Sequence, residues 1–304
     1  MAPLGSLSID LDDEWAYRRT LGDPGWRARP SYLEVLGPRL DEVLDGRRAT
    51  CFAVGADARR PSGAALLRGL HERGHEIASH SDAHDLRLHR WRAQAIEEDL
   101  ERAAAAIADA TGTAPRGFRS PGYGTSPVLR ATLVRLGYRY DASAFPSPAG
   151  LLARAWYARG YRGAPLRLRD LGDAAAELVR GARARRVTID GHELVEIPLT
   201  VMPYTRLPLH ASHLILLAQR ARRLSFRYLD LALGACERSG IVPAVVIHPT
   251  DLIDAGDAPA LRRFPGMRTP ATVKLELVPA WLARVEGRFA LGTVAEQAAA
   301  LLGR

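Results

Sequence analysis

Four short segments of this chain carry residue types that can do chemistry together. The first is Asp10-Leu11-Asp12-Asp13, at the end of an apolar run. In an extended chain, residues two apart point the same way, so Asp10 and Asp12 can bring two carboxylates to one face. Taken alone, acids at a strand end are also what turns and helix caps use. The second segment is His80-Ser81-Asp82-Ala83-His84. Two imidazoles four apart on one helical turn project to the same side and suit a divalent metal; one added carboxylate completes a two-histidine, one-acid set with positions open for water and substrate. Two surface histidines at a polar helix start give the same pattern. The third is Phe118-Arg119-Ser120-Pro121-Gly122-Tyr123-Gly124, where an arginine can pair with a buried acid and small residues let backbone approach a ligand; a plain loop reads the same way. The fourth is Val245-Val246-Ile247-His248-Pro249, a β-branched run ending in one histidine, a position that is often merely structural.

These segments need a scaffold that brings strand ends to one place. Short apolar runs alternate with helical patterns along the chain, as in proteins built from strand–helix units. Strands are expected at 7–11, 49–54, 75–78, 138–141, 194–198 and 242–248, with a last one at 288–291. Helices are expected at 31–44, 66–73, 90–110 and 128–136, two within 207–233, and a last at 293–302. The fold class is therefore α/β, a distorted (β/α) barrel of seven strands whose loops share one mouth. No linker divides the chain, so residues 1–304 read as a single catalytic domain, with a lid or insertion at 151–190 where the pattern degrades into arginine, glycine and alanine. Trp15, Tyr17 and Trp26 fall in an expected loop at the mouth, where aromatic rings can stack on a sugar face or form a lid or subunit contact.

In order and context the four segments resemble the polysaccharide deacetylase family, also called NodB-homology or carbohydrate esterase family four. Its strand ending in two acids, its Gly-His-Glu-Ile followed by His-Ser-x-x-His, its Phe-Arg-x-Pro-x-Gly and its late strand ending in histidine appear here at residues 8–13, 74–84, 118–124 and 246–249. The segments 49–55 and 137–141 look like further strands of that family, so the similarity spans about residues 6–250. The first motif departs from Asp-Asp-Gly and looks like an Asp-x-Asp branch that includes peptidoglycan deacetylases, deformylases of lipid-linked sugars and ureide or imide hydrolases. The family's tryptophan motif is not evident, which leaves the partner of His248 undefined. The departure also leaves open an exchange of roles between Asp12 and Asp13.

The resemblance implies a metal-dependent N-deacetylase acting on an N-acylated amino sugar. It implies a divalent cofactor held by Asp12, His80 and His84, with Zn²⁺ foremost and Mn²⁺, Co²⁺ or Ni²⁺ able to serve. Asp10 is then the general base, Arg119 its ion-pair partner and His248 the acid that protonates the departing amine. The loop Pro121-Gly122-Tyr123 offers a backbone N–H to the developing oxyanion, and Trp15 with this loop binds substrate. A deformylase, a ureide or imide hydrolase on the same site, and a catalytically silent binding protein are the alternatives.

The chain has 304 residues, 47% of them apolar, and a net charge of +8. This supports a full core and could attract an anionic lipid or a nucleotide sugar, without selecting either. The two cysteines, Cys51 and Cys236, read as free core thiols. The N-terminus has neither a basic segment nor a long apolar one, so a cytoplasmic location is expected. The expected partner is a small amino-sugar compound, nucleotide- or lipid-linked or a glycosylated intermediate, with no nucleic acid and at most a peripheral membrane contact. For that contact the run at 214–217 with Arg220, Arg222 and Arg223 is the candidate; two barrel helices with outward arginines explain it equally.

Overall fold

The computed structural model describes residues 2–150 and 181–303. Its centre is a mixed, mostly parallel sheet curled into a half-barrel with helices around it. In chain order the strands are β1 (Leu4–Asp10), β2 (Thr50–Ala53), β3 (Glu76–Ser79), β4 (Gly117–Phe118), β5 (Tyr140–Asp141), β6 (Arg185–Ile189), β7 (His192–Glu196), β8 (Ala244–Ile247) and β9 (Ala290–Gly292). The sheet order is β6-β7-β5-β4-β3-β2-β1-β8, with β9 beside the start of β1. From β7 to β8 this is a run of seven parallel strands; it includes β4, which was not among the expected strands, and leaves β9 off the run, while β6 adds an antiparallel edge. Residue Thr200 spans the gap between the ends of that run: its hydroxyl accepts from Ala244 N–H at 2.6 Å and donates to the Ala244 carbonyl at 3.0 Å.

The helices are α1 (Glu14–Thr20), α2 (Leu33–Leu44), α3 (Gly55–Ala58), α4 (Pro61–Glu72), α5 (Ala93–Thr111), α6 (Pro127–Arg135), α7 (Ala211–Ala218), α8 (Arg222–Ser239), α9 (Ala271–Glu286) and α10 (Val294–Leu302). Strand alternation sorts β1 cleanly. Leu7 and Ile9, followed by Leu11, face the helices and pack with Leu36, Leu40 and Val43 of α2. Ser6, Ser8 and Asp10 face the barrel interior instead. There Ser6 donates to Gln297 of α10, and the Ser8 hydroxyl accepts from Arg119. Helix α10 closes the lower end of the barrel: Val294 and Ala298 pack with Phe52, Tyr140 and Val195. Both cysteines are free and buried, and burial pushes their thiols up to about 12 and about 11.

Three expectations change. The segment after the first motif is not a loop. The Asp13 side chain accepts from Glu14 N–H at 2.8 Å and caps α1, which carries Trp15 and Tyr17 inward. Between the strand expected at 242–248 and the one expected at 288–291, where no element was expected, lies the long helix α9. Of the expected lid at 151–190, residues 151–180 lie outside the described residues, while 185–189 form β6. No helix among the described residues is long and apolar enough to cross a membrane.

Candidate metal centre and active site

All four chemical segments meet at the carboxyl ends of β1, β3, β4 and β8, as a parallel sheet requires of strand-end residues. Register does much of the placing. Ile9 of β1 pairs with Ile247 of β8, so the next residues, Asp10 and His248, stand side by side. Ser79 of β3 pairs with Phe118 of β4, so His80 and Arg119 emerge at one level.

Asp12 Oδ1 lies 3.2 Å from His80 Nε2 and 2.8 Å from His84 Nε2, and one possible ligand atom from each of the three residues falls within 4.8 Å of the others. The histidines are not on a helical turn, as their spacing suggested. They sit on a loop in which Ser81 (φ 65°) and His84 (φ 47°) take left-handed backbone, and the Ser81 hydroxyl accepts from His84 N–H at 2.9 Å. His80 Nδ1 is 2.7 Å from the Arg119 carbonyl. A carbonyl can only accept, so this contact places the proton on Nδ1 and leaves the Nε2 lone pair facing Asp12. Asp12 Oδ1 and both ring nitrogens of His84 are buried with no aligned hydrogen-bond partner among the described residues. Leaving such atoms unpaired costs about 1–3 kcal/mol each, and a shared cation removes that cost. Two imidazoles and one carboxylate with converging lone pairs fit a divalent ion.

Asp13 is occupied elsewhere. It is fully buried, and its carboxylate takes Glu14 N–H, Tyr32 N–H and an Arg60 guanidinium N–H at 2.8, 3.0 and 3.1 Å. Burial pushes its carboxyl up against those stabilising bonds. Adjacent residues of an extended chain face opposite ways, so with Asp12 turned to the histidines Asp13 turns to the cap.

Asp10 Oδ1 accepts from Arg119 Nη1 at 2.6 Å; Arg119 has 0% exposure, reaches Ser8 and the Ala142 carbonyl, and lies 4.1 Å over the Phe52 ring. Burial alone would raise the Asp10 carboxyl, but Arg119, His80 and His248 together outweigh it and hold it below the usual range. The expected pair of Asp10 with Arg119 is thus formed.

His248, 15% exposed, faces Asp10 Oδ2 across 3.6 Å. The Tyr123 hydroxyl stands between them, 3.0 Å from Asp10 Oδ2 and 2.6 Å from His248 Nε2. On the other side of the ring, Nδ1 lies 3.3 Å from the Ser212 hydroxyl and 3.7 Å from Asp251 Oδ2. Asp251 also accepts from His248 N–H and from Ser212, at 2.9 and 3.0 Å. Burial disfavours the imidazolium, yet Asp251 and Asp10 more than compensate and raise His248 to about 8. His210, whose ring lies 6.1 Å from His248, goes the opposite way: burial and the neighbouring His248 push it down to about 3.

Asp251 and Ser212 were not singled out by sequence. Asp251 had a signal, since His248-Pro249-Thr250-Asp251 is a helix-start pattern with proline first and an acid third, and it forms a capping box. Ser212 had none. One expected role does not match the geometry, and another narrows to a single residue. Trp15 is 1% exposed, its indole N–H donates to Asp57 at 2.8 Å, and its ring stands edge-on to His84; no face is open to a sugar. In the Pro121-Gly122-Tyr123 loop, proline has no N–H and that of Tyr123 is taken by the Ser120 carbonyl at 2.9 Å, which leaves Gly122 (φ 65°) as the donor.

Comparison with known proteins bears on the second and third segments and on the fold. A family model described as polysaccharide deacetylase matches residues 38–140. A Mycobacterium smegmatis protein described as a polysaccharide deacetylase superposes with a TM-score of 0.66 at 17% identity, over 99% of this chain and 91% of its own. Puue allantoinase does so with a TM-score of 0.58 at 14% identity, over 98% and 89%. A search of curated proteins returns no sequence match. These likenesses show the fold: it is a (β/α) fold of the NodB type, the architecture of polysaccharide deacetylases. At such identities the structural likeness is one of architecture, so the chemistry must be argued from this chain's own residues.

Proposed function

We propose that the protein is a metal-dependent N-deacylase, a single catalytic domain that hydrolyses the amide of an N-acylated amino sugar in the cytoplasm. The family match supports a hydrolase acting on non-peptide carbon–nitrogen bonds. The observation that carries the rest is the convergence in one mouth of Asp12 with His80 and His84, the Asp10–Arg119 pair, and His248 backed by Asp251.

Asp12, His80 and His84 would hold the ion, which when bound supplies a Lewis acid for the carbonyl and lowers the pKa of water at the site. Asp10, kept ionised by Arg119, takes the proton of the attacking water. The Gly122 N–H donates to the carbonyl oxygen as negative charge develops there. His248, protonated near neutral pH, gives its proton to the departing amine, which leaves poorly as an anion. The Tyr123 hydroxyl, within hydrogen-bond reach of both, links base and acid.

A small acetamido sugar, free or carried on a nucleotide, lipid or glycosylated intermediate, is the substrate we favour. The test is acetate and formate release by protein loaded in turn with Zn²⁺, Mn²⁺, Co²⁺ and Ni²⁺, from free, nucleotide-linked and lipid-linked N-acyl sugars, with allantoin and formylated compounds alongside. Turnover of allantoin alone would replace the amino-sugar reading with ureide hydrolysis. Stoichiometric metal without turnover of any of these would sink the substrate assignment, and no metal at all would sink the site.

A further inference from the structure

Helix α9 belongs to the tail that no motif explains, and it inserts a lysine under the active site. Lys274 has 0% exposure. Its ammonium donates to the carbonyls of Thr250 and Ile253, at 2.7 and 2.5 Å. The carbonyl of the residue before Ile253, Leu252, is taken by Arg39 of α2 at 3.1 Å, and Arg39 is itself paired with Asp257. Two cations from two helices therefore hold three carbonyls of one short turn.

That turn carries Asp251, whose carboxylate accepts from the His248 N–H and from Ser212 and lies beside His248 Nδ1. Burying an ammonium is costly. Burial indeed brings Lys274 down to about 8, against the support of Asp251, Asp254 and Asp257 and with Arg39 opposing it. A methionine would fill the same space without a charge to desolvate. What it would lack is two directed donors at fixed positions on the turn.

We infer that Lys274 is a positioning residue for amine protonation: it pins the turn at 250–253 so that Asp251 holds the His248 ring in its working orientation. The inference rests on His248 being the acid of the proposed reaction. Lys274 touches no reacting atom and acts only through Asp251.

The experiment compares two substrates in the metal-loaded enzyme, an N-acetyl amino sugar and 4-nitrophenyl acetate, whose leaving group departs without a proton. Lys274→Met is expected to lower kcat on the amide by about 10- to 100-fold, part of the roughly 10²–10⁴-fold a general acid supplies, with KM held. Ester hydrolysis and metal content should stay at wild-type level. His248→Ala should show the same selectivity more deeply, and Lys274→Arg, which keeps charge and donors, should recover part of the amide rate. In metal-free Lys274→Met protein the amides of Asp251, Leu252 and Ile253 should exchange faster with solvent. Equal loss on amide and ester, or undiminished amide turnover, overturns the role of Lys274. If His248→Ala shows no selectivity, the acid assignment itself fails, and the two failures are told apart. Should Lys274→Met not fold, Lys274→Gln and Asp251→Asn replace it on the same pair of substrates: selective loss on the amide supports the role, and equal loss on both substrates overturns it.

Discussion

The Tyr123 hydroxyl lies 2.6 Å from His248 Nε2, with Asp10 Oδ2 3.0 Å away on its other side. Base and acid are thus linked by one neutral group before any substrate arrives. Tyr123→Phe removes that link without emptying the ring's space. A hydrogen bond to a charged partner is worth about 1.5–3 kcal/mol, so kcat/KM should fall about 10- to 100-fold with metal content unchanged. Steady-state kinetics with metal analysis checks this; an unaltered kcat/KM would make the hydroxyl a bystander.

Metal removal should act on stability as well as activity. Asp12 Oδ1 and the His84 nitrogens lack aligned partners among the described residues, and a ligand present at about 100 times its Kd adds about 2.7 kcal/mol to the folded state. Chelation should therefore abolish turnover and lower Tm, and Zn²⁺ should restore both. His84→Ala should lose the metal-dependent rise in Tm. A Tm indifferent to metal in the wild type would contradict the site.

The pH response should follow His248. Its folded pKa, about 8, lies above the ordinary 6.5, so its protonation contributes stability that is full below about 6.5 and lost as pH rises through about 8. The acid role has the same sign: kcat should decline above that pH. In Asp251→Asn the main support of the imidazolium is gone and burial dominates. Its alkaline limb should move to lower pH, and its stability deficit should be larger at acidic than at alkaline pH. Histidine NMR titration of the metal-free protein reports the same shift directly.

Arg119 is enclosed with Asp10, so removing one charge strands the other. Arg119→Met should cost about 3–5 kcal/mol in chemical denaturation. Adding Asp10→Asn should return part of that loss, although the double variant stays inactive. If the two losses simply add, the pair is not coupled.

Trp15 tests the boundary between core and binding site. Trp15→Phe leaves Asp57 without its indole donor, and the stability cost should be about 1–3 kcal/mol. KM for an amino-sugar substrate should not change. A raised KM with intact stability would return the ring to the binding surface.

Much of the fold could be read along the chain because it is written in local periodicity. The alternation in β1, the alanine-rich stripe of α5 and the β-branched run before His248 each identify an element from a few neighbouring residues. Helix α1 escaped because its signal is a single cap, Asp13, in a string of acids that also looks like a metal motif. Helix α9 escaped because Pro279 and scattered polar residues blur its stripe. Residue Lys274 is the single lysine of the sequence, yet nothing in its neighbours along the chain shows that it is buried.

For the site, residue type and order were enough to nominate Asp10, Asp12, His80, His84, Arg119 and His248, since the chemistry each can do is a property of its side chain. Which of two adjacent acids faces the histidines, whether an aromatic ring is wall or ligand, and who stands behind His248 depend on distances between residues far apart in the chain. Those are set by strand register and helix packing: Ile9 against Ile247 places Asp10 beside His248, and the cap on α1 turns Asp13 and Trp15 inward. No local pattern encodes such contacts, because the energy that decides them is gained only when the whole sheet and its helices close around the site.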